Sequence, residues 1–473
     1  MIDNFSLSDR FSKNDITFFW TSSILLEMHR EIGVDQAINF ESLIVGLCDI
    51  NGQLRGKRVP ASSATKILES GMRMPLSTCS VDIWGNDIAG SPLVLDSGDQ
   101  DADCLPTSRG IVPIDWLEKP TGFIPISMFE EDGTPFLGDP RNALWSVLEE
   151  YKKVGLTPVV ASELEFYLVD RDHMRPTPPH APEVGLSFAH NDVLSLDAVA
   201  ANSAFIDDLY ASCEKQDIPA DAVTSEGGAG QFEVNLNHQP DALKAADDAF
   251  YFKRTVNGLA QKHGMAATFM AKPYLDKAGN GFHIHFSVLD EEGNNIFDDG
   301  SEEGSETLRH AIAGLLKAME QSALIFAPHY NSYRRFEESS HAPTAISWGY
   351  ENRTAAIRVP GGPPQAKRIE HRVSGGDINP YLVIAVVLGA ALHGIRNKLD
   401  AGTPIVGNAY EQASDRIPTT WQRAVDAFKN GEMLQEIFDP DFVDIIARCK
   451  QQEIDLFFEQ ITDREYATYL ETV

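Results

Sequence analysis

The sequence predicts an α+β protein in two parts: a small β-rich domain over residues 1–133 and a larger domain over residues 134–473, where helices alternate with strands. Three observations lead there. A chain of 473 residues is long enough for two or three domains at about 150 residues each. Early on, two extended runs flank an Asn-Gly turn. Near Glu130-Glu131-Asp132-Gly133 the composition turns to loop, and a helix signal follows.

The N-terminal stretch carries Phe18, Phe19, Trp20, Ile24, Leu25 and Met28 loosely at helical spacing, which reads as a helical lead-in. Leu43 to Asp49, the pair Asn51-Gly52 and then Gln53 to Val59 read as a β-hairpin. Short strands and turn residues continue as far as Met128. Asp139 is placed as an N-cap, with Pro140 at the first position of a helix through Lys153. Strands are expected at Thr157–Val169, Gly230–Asn237, Ala266–Ala271, Phe282–Leu289, Ala355–Val359 and Arg368–Val373. A Pro- and His-rich loop falls at Arg171–Ser187 and an acidic one at Phe297–Glu306. Tyr381–Ile395 after Asn379-Pro380 reads as a buried helix, too short to span a bilayer.

Seventy acidic residues against 39 basic ones give a formal charge of −31. A nucleic-acid binder needs a basic face, so that class is excluded. The five cysteines are widely spaced and form no C-x-x-C, which suggests neither a zinc ribbon nor a disulfide framework. Asp3 and Asp9 stand where a signal peptide carries basic residues. The expectation is a cytoplasmic protein with no membrane partner.

The chemistry is carried by residues at spacing two, which puts side chains on one face of a strand. Glu163 and Glu165 stand so in an otherwise apolar run. Glu226 and Glu233 bracket a Gly-rich turn entering a strand. His283, His285 and Ser287 share one register, as do Arg368, Glu370 and Arg372. Five Glu and one His suit hard divalent cations, Mg²⁺ or Mn²⁺, rather than a thiolate zinc site. The nearby Arg335, Arg353, Arg358, Arg368 and Arg372 match what phosphoryl transfer demands. Neither a P-loop nor a G-x-G-x-x-G motif is present.

Glu163-Leu-Glu165, Glu226 to Glu233, Asn280-Gly-Phe-His283-Ile-His285, Asn331 to Arg335, Asn352-Arg353 to Arg358 and Arg368 through Asn379-Pro-Tyr-Leu together resemble the glutamine synthetase family, in its motif order. Asp49 to Arg58 extends the likeness toward the N-terminus. The resemblance implies an N-terminal β-grasp domain, a catalytic α/β domain with a curved, mainly antiparallel sheet, and a homo-oligomeric ring, typically a dodecamer. It implies ATP and two or three Mg²⁺ or Mn²⁺ ions per site. By position, Glu165, Glu226 and Glu233 would hold the first ion, and Glu163, His283 and Glu370 the second. Gly279, Arg335 and Arg372 would bind glutamate. Asp221, His285, Ser287, Arg358 and Arg368 would meet the nucleotide, with Arg353 touching both glutamate and the γ-phosphate. The implied reaction converts the glutamate γ-carboxylate to an acyl phosphate, which an amine then attacks.

The departures are local. Glutamine synthetase proper binds ammonium through an Asp-Gly-Ser-Ser segment, where this chain has Cys79-Ser-Val-Asp82-Ile-Trp84-Gly-Asn86. The family's flap Glu is replaced by His341, whose ordinary pKa near neutrality suits a base. Glu337, Glu338 or Asp82 could instead meet a distal ammonium, and Trp84 or Trp348 could pack methylenes. Val-Asp-Ile-Trp-Gly-Asn and Ser-Trp-Gly-Tyr-Glu-Asn-Arg-Thr resemble the γ-glutamylpolyamine ligase branch. The expected co-substrate is therefore a polyamine or alkylamine. Ammonia-using glutamine synthesis and a non-catalytic family relative stand as the alternatives. Tyr410 sits where bacterial members carry a nucleotidylated Tyr, but its surroundings do not match.

Overall fold

The first strand, β1 (Ser42–Cys48), turns back into β2 (Leu54–Pro60) across Asn51-Gly52. The Asp49 carboxylate accepts from the amides of Asn51 and Gln53, both at 2.9 Å, and Gly52 takes φ 74°, a left-handed conformation that favours glycine. The hairpin expected there is present. This is a computed structural model describing residues 39–171, 175–178, 193–338, 340, 342–412 and 415–473. The helical lead-in, most of the Pro- and His-rich loop and His341 lie outside the described residues.

Four more strands complete the first sheet: β3 (Met72–Pro75), β4 (Asp101–Pro106), β5 (Val112–Ile114) and β6 (Thr121–Phe129). Its order is β2-β1-β6-β4-β3, with β5 also on β6, and only the β1–β6 pair is parallel. Leu43, Val45 and Leu47 alternate along β1 and pack with Ile124, Ile126 and Met128 of β6 in a core of their own. On the other side Phe123, Val112 and Ile114 join the main core, so the sheet is covered on both faces.

Asp139 welds this sheet to the helix Pro140–Lys152. Its carboxylate caps that helix by accepting from the Arg141 amide and also takes the Met128 amide at the end of β6. Arg141 then reaches Asp247 in a fork at 2.9 and 3.1 Å, both side chains almost wholly buried. Asp247 belongs to the helix Ala242–Lys262 and also accepts from the Tyr381 hydroxyl at 2.7 Å.

The second sheet holds β7 (Thr157–Asp170), β8 (Ala220–Ser225), β9 (Gln231–Gln239), β10 (Met265–Thr268), β11 (Phe282–Leu289), β12 (Trp348–Tyr350), β13 (Ile357–Val359) and β14 (Ile369–His371). Its order is β12-β13-β14-β11-β7-β9-β8, with β10 also on β7. Every pair is antiparallel except β12–β13. Register shifts in the β7–β9 and β8–β9 pairings are the kind of bulge that curls a sheet. The six strands expected in this region are present with ends moved by a few residues, whereas β8 and β12 carried no clear signal in the sequence.

Helices cover the sheet. Pro380–Asn397 is long and apolar enough to cross a membrane, but 78% of it is buried inside the protein. It is a core helix, started by Asn379, whose side chain accepts from the Tyr381 and Leu382 amides. The acidic loop after β11 is not wholly solvated, because Phe297 is fully buried and stacks edge-on to Phe286.

The Arg141–Asp247 fork ties three elements together, so Arg141→Met leaves a buried carboxylate without its cation. Such breaks cost about 3–5 kcal/mol. Urea unfolding followed by circular dichroism should show a loss of that order, and a loss under about 1 kcal/mol would refute the assignment.

Candidate active site

The register of the second sheet turns four separate spacing-two patterns into one surface. Glu165 on β7 lies directly opposite Glu233 on β9, and Glu163 opposite His283 on β11. His285 lies opposite Glu370 on β14, and Glu370 opposite Arg358 on β13. The turn before β9 carries Glu226, whose amide is held by the Gln231 carbonyl.

Glu163 is the hub. It accepts from His283 Nδ1 at 3.1 Å and from His285 Nε2 at 2.9 Å. His285 Nδ1 in turn accepts from Arg368 Nε at 3.3 Å, which fixes that ring's tautomer. Glu370 is almost fully buried and bracketed by two guanidinium groups, Arg358 at 2.7 Å on one oxygen and Arg372 on the other. Glu165 accepts from the Gly281 amide at 2.7 Å and lies 3.5 Å from the Gln231 amide nitrogen.

Two residues without a role in the sequence reading organise this floor. The Gln231 side chain donates to the Gly279 carbonyl and to Asn280 Oδ1, and accepts from the Gly228 amide. A Cβ at Gly281 would lie about 3 Å from His283 Nε2, Arg335 Nη2 and Glu165 Oε1. A glycine in a strand approach can mark such close packing, and that was the available signal. Arg335 is buried and donates to the Val373 carbonyl at 2.8 Å.

The expected residues do not all converge. Arg353 is exposed on the turn after β12, near enough to Glu226 to favour its charged form. Ser287 continues the His283–His285 face, while Asp221 is exposed on the edge strand β8 and meets Tyr210 through its carbonyl. Asp82 is fully buried and turned inward, accepting from the amides of Trp84 and Asn86 and the side chains of Asn86 and Gln452. Trp348 is buried with its indole on the Ala401 carbonyl, whereas Trp84 is 53% exposed. Glu337 pairs with the buried Lys272 at 3.2 Å. Tyr410 is buried and donates to the Ala342 carbonyl.

Among the described residues, two triads bring their ligand-type atoms within 4.8 Å of one another: Glu163, Glu233 and His283, and Glu163, His285 and Glu370. This grouping cuts across the division expected from the sequence, because Glu163 is drawn to both histidines and Glu165 to the Gly281 amide. The donor set, mostly carboxylate oxygen, fits hard divalent cations. The electrostatics agree. Burial, then the charges of Glu163, Glu165 and Glu226, push Glu233 up to about 9. Burial, then Glu165, raise Glu226 to about 7. Burial also works to raise Glu163, but hydrogen bonds from His283 and His285 outweigh it and hold that carboxylate well below the ordinary range. Burial opposes ionisation of Glu370 too, yet Arg372 and then the histidines bring it down to about 2.

Raised carboxyls make the metal-free fold most stable where they keep their protons. That stability is present below the unfolded Glu value of 4.5 and is lost as pH rises through about 7 and about 9. A divalent ion removes the repulsion. Thermal unfolding in Mg²⁺ minus that in EDTA should therefore give a Tm increment that grows from pH 6 to pH 9 on the order of these shifts. Glu233→Gln should shrink the increment, and an increment that falls with pH contradicts the reading.

The family profile described as "Glutamine synthetase, catalytic domain" matches residues 137–469. Over 430 residues the chain is 38% identical to "Gamma-glutamylputrescine synthetase PuuA" of Escherichia coli (strain K12), covering 90% of this chain and 91% of that one. It is 31% identical over 442 residues to "Glutamate--isopropylamine ligase" of Pseudomonas sp, covering 92% and 96%. The solved structure "Apo GmaS without ligand" superposes with a TM-score of 0.80 at 28% identity, covering 93% and 98%. A profile match spanning the second sheet, joined to relatives aligned along nine-tenths of the sequence, makes this chain a member of the glutamine synthetase family, ATP-dependent ligases that form carbon–nitrogen bonds.

Proposed function

We propose that the chain joins the γ-carboxylate of L-glutamate to a polyamine or other alkylamine, through γ-glutamyl phosphate made from ATP. The observation that carries the choice of amine is the Asp82–Asn86 turn. In the segment that supplies an ammonium-binding Asp in glutamine synthetase proper, the acid here is spent on the turn itself. What the turn presents outward is Trp84, an apolar surface suited to methylenes. Relatives named for putrescine and isopropylamine point the same way.

The roles follow from charge. Mg²⁺ or Mn²⁺, two or three ions held by Glu163, Glu165, Glu226, Glu233, His283 and Glu370, would offset the negative charge of the phosphates. Gly279, Arg335 and Arg372 hold glutamate, and Asp221, His285, Ser287, Arg358 and Arg368 hold the nucleotide. Arg353 steadies the moving phosphoryl group as the carboxylate oxygen attacks it and ADP departs. The amine nitrogen then attacks the acyl carbon, its proton passes to a base, assigned to His341, and phosphate leaves.

Self-association into a ring belongs to the same reading, as do a β-grasp N-terminal domain over residues 1–133 and a catalytic domain over 134–473. The C-terminal stretch leaves Phe458 59%, Ile461 63%, Tyr466 52% and Leu470 73% exposed, apolar surface that a second copy would cover. Five free, buried cysteines suit a reducing cytoplasm.

An assay of ADP release with glutamate and an amine panel tests the substrate. Putrescine, spermidine or a monoamine should exceed ammonia in kcat/KM by about tenfold or more, the step that one well-placed contact of about 1.4 kcal/mol provides. Ammonia as the best substrate would sink the proposal. For assembly, replacing Phe458, Ile461 and Leu470 together by Ser should lower the mass seen by light scattering, and an unchanged mass would remove this stretch from the interface.

A further inference from the structure

Two charged side chains beneath the site have no part in the scheme above. Lys253 lies on the helix Ala242–Lys262, and Asp377 lies in the segment joining β14 to the helix Pro380–Asn397. The Lys253 ammonium donates to two main-chain carbonyls of that segment, Gly376 at 2.8 Å and Ile378 at 3.0 Å. It also lies 5.2 Å from the centre of the Phe269 ring. Asp377 is the residue between the two carbonyls. Its Oδ2 accepts from the Ser332 hydroxyl at 2.7 Å, and its Oδ1 has no hydrogen-bond partner among the described residues.

Two restraints on Arg335 end on this segment. Ser332 and Arg335 share the short 3₁₀ helix Tyr330–Arg335, so the Ser332–Asp377 bond fixes the backbone that carries the arginine. The guanidinium itself donates to Val373, at the start of the same segment. The segment is also tied to the glycine floor, since Gly376 donates to the Asn280 carbonyl and Gly375 bridges to Gly281. Taking an ammonium out of water is costly, and burial draws Lys253 down to about 8 while Asp377 acts in the opposite direction. The cation is retained where it gathers the two carbonyls that flank Asp377 into a fixed shape.

We propose that Lys253, acting through Asp377 and Ser332, is the positioning residue for Arg335 and sets where the substrate carboxylate is gripped. This rests on the reading of Arg335 as a glutamate-binding residue. A guanidinium fork works only when its planes and distances match the carboxylate, and a displacement of about 1 Å can cost on the order of a hundredfold.

The test is steady-state kinetics of the full chain with glutamate, ATP and putrescine as the probe amine. Lys253→Met keeps the stem and removes the ammonium, Ser332→Ala removes one hydroxyl, and Arg335→Lys removes the fork. Each should raise the glutamate KM by about tenfold or more, with the ATP and putrescine KM values changed by about twofold or less. In the Arg335→Lys background, Ser332→Ala should add about twofold or less, because the group it positions is gone. If Lys253→Met does not fold, Ser332→Ala decides alone. An Arg335→Lys effect on glutamate with none from Ser332→Ala or Lys253→Met overturns the positioning role only. An unchanged glutamate KM in Arg335→Lys overturns the glutamate reading and the inference with it. Equal changes in all three KM values would mean a structural role and also overturn the inference.

Discussion

The structure is arranged around one electrostatic problem, the confinement of several carboxylates to one face of one sheet. Two unit charges about 4 Å apart repel by about 4 kcal/mol at an effective dielectric of 20. Four groups pass through that constraint, and each is handled differently. Glu163 is held by two histidines, Glu370 by two arginines and Glu165 by the Gly281 amide. Among the described residues Glu233 has only the Asn235 side chain, and it is the group driven furthest toward its protonated form. A carboxyl with no cationic partner beside three compensated ones defines where a cation lowers the energy most.

Such a cluster needs a frame that cannot slip. A shift of one residue in the β7–β11 register would turn Glu163 away from His283 and drive Leu164 toward solvent. That error is costly because Leu164, Phe166 and Ile284 are buried on the opposite face. Glu163, Glu165 and Glu233 therefore sit on the long strands β7 and β9, beside the histidines of β11. The arginines sit on the short strand β13, a 3₁₀ turn and loops, with Arg335 and Arg372 buried and Arg353 exposed.

Much of this was legible because strands have a period of two. The pairs at Glu163 and Glu165, His283 and His285, and Arg368 and Glu370 announced a functional face without any knowledge of pairing. The sequence could not say which strand lies beside which. That is why Glu163 emerges as shared between both triads, and why His285 joins a ligand-type cluster. Side-chain direction in loops was equally hidden. Trp84 and Trp348 look alike in sequence, yet one faces solvent and the other fills the core. Asp82 looked available and is committed to its own turn. The hairpin at Asn51-Gly52 and the cap at Asp139 were readable because local chemistry alone decides them. The role of Gln231 was not, since it depends on three segments meeting.

The overall charge acquires a sharper meaning from this site. A chain of net charge −31 repels ATP and glutamate at long range and attracts an alkylammonium or polyamine cation. Within the site Glu163, Glu165, Glu226, Glu233 and Glu370 are matched in formal charge by Arg335, Arg353, Arg358, Arg368 and Arg372. Glu226 and Glu233 hold their protons up to about 7 and about 9, and each divalent ion adds two positive charges. On the proposed reading, ion loading makes the pocket an anion receptor while the outer surface still draws in the cationic co-substrate. The two fields act over different ranges. The outer one is screened within about 8 Å at physiological salt, whereas the buried one is largely unscreened. Salt should consequently weaken capture of the amine more than it weakens binding of glutamate, because only the amine depends on the distant field.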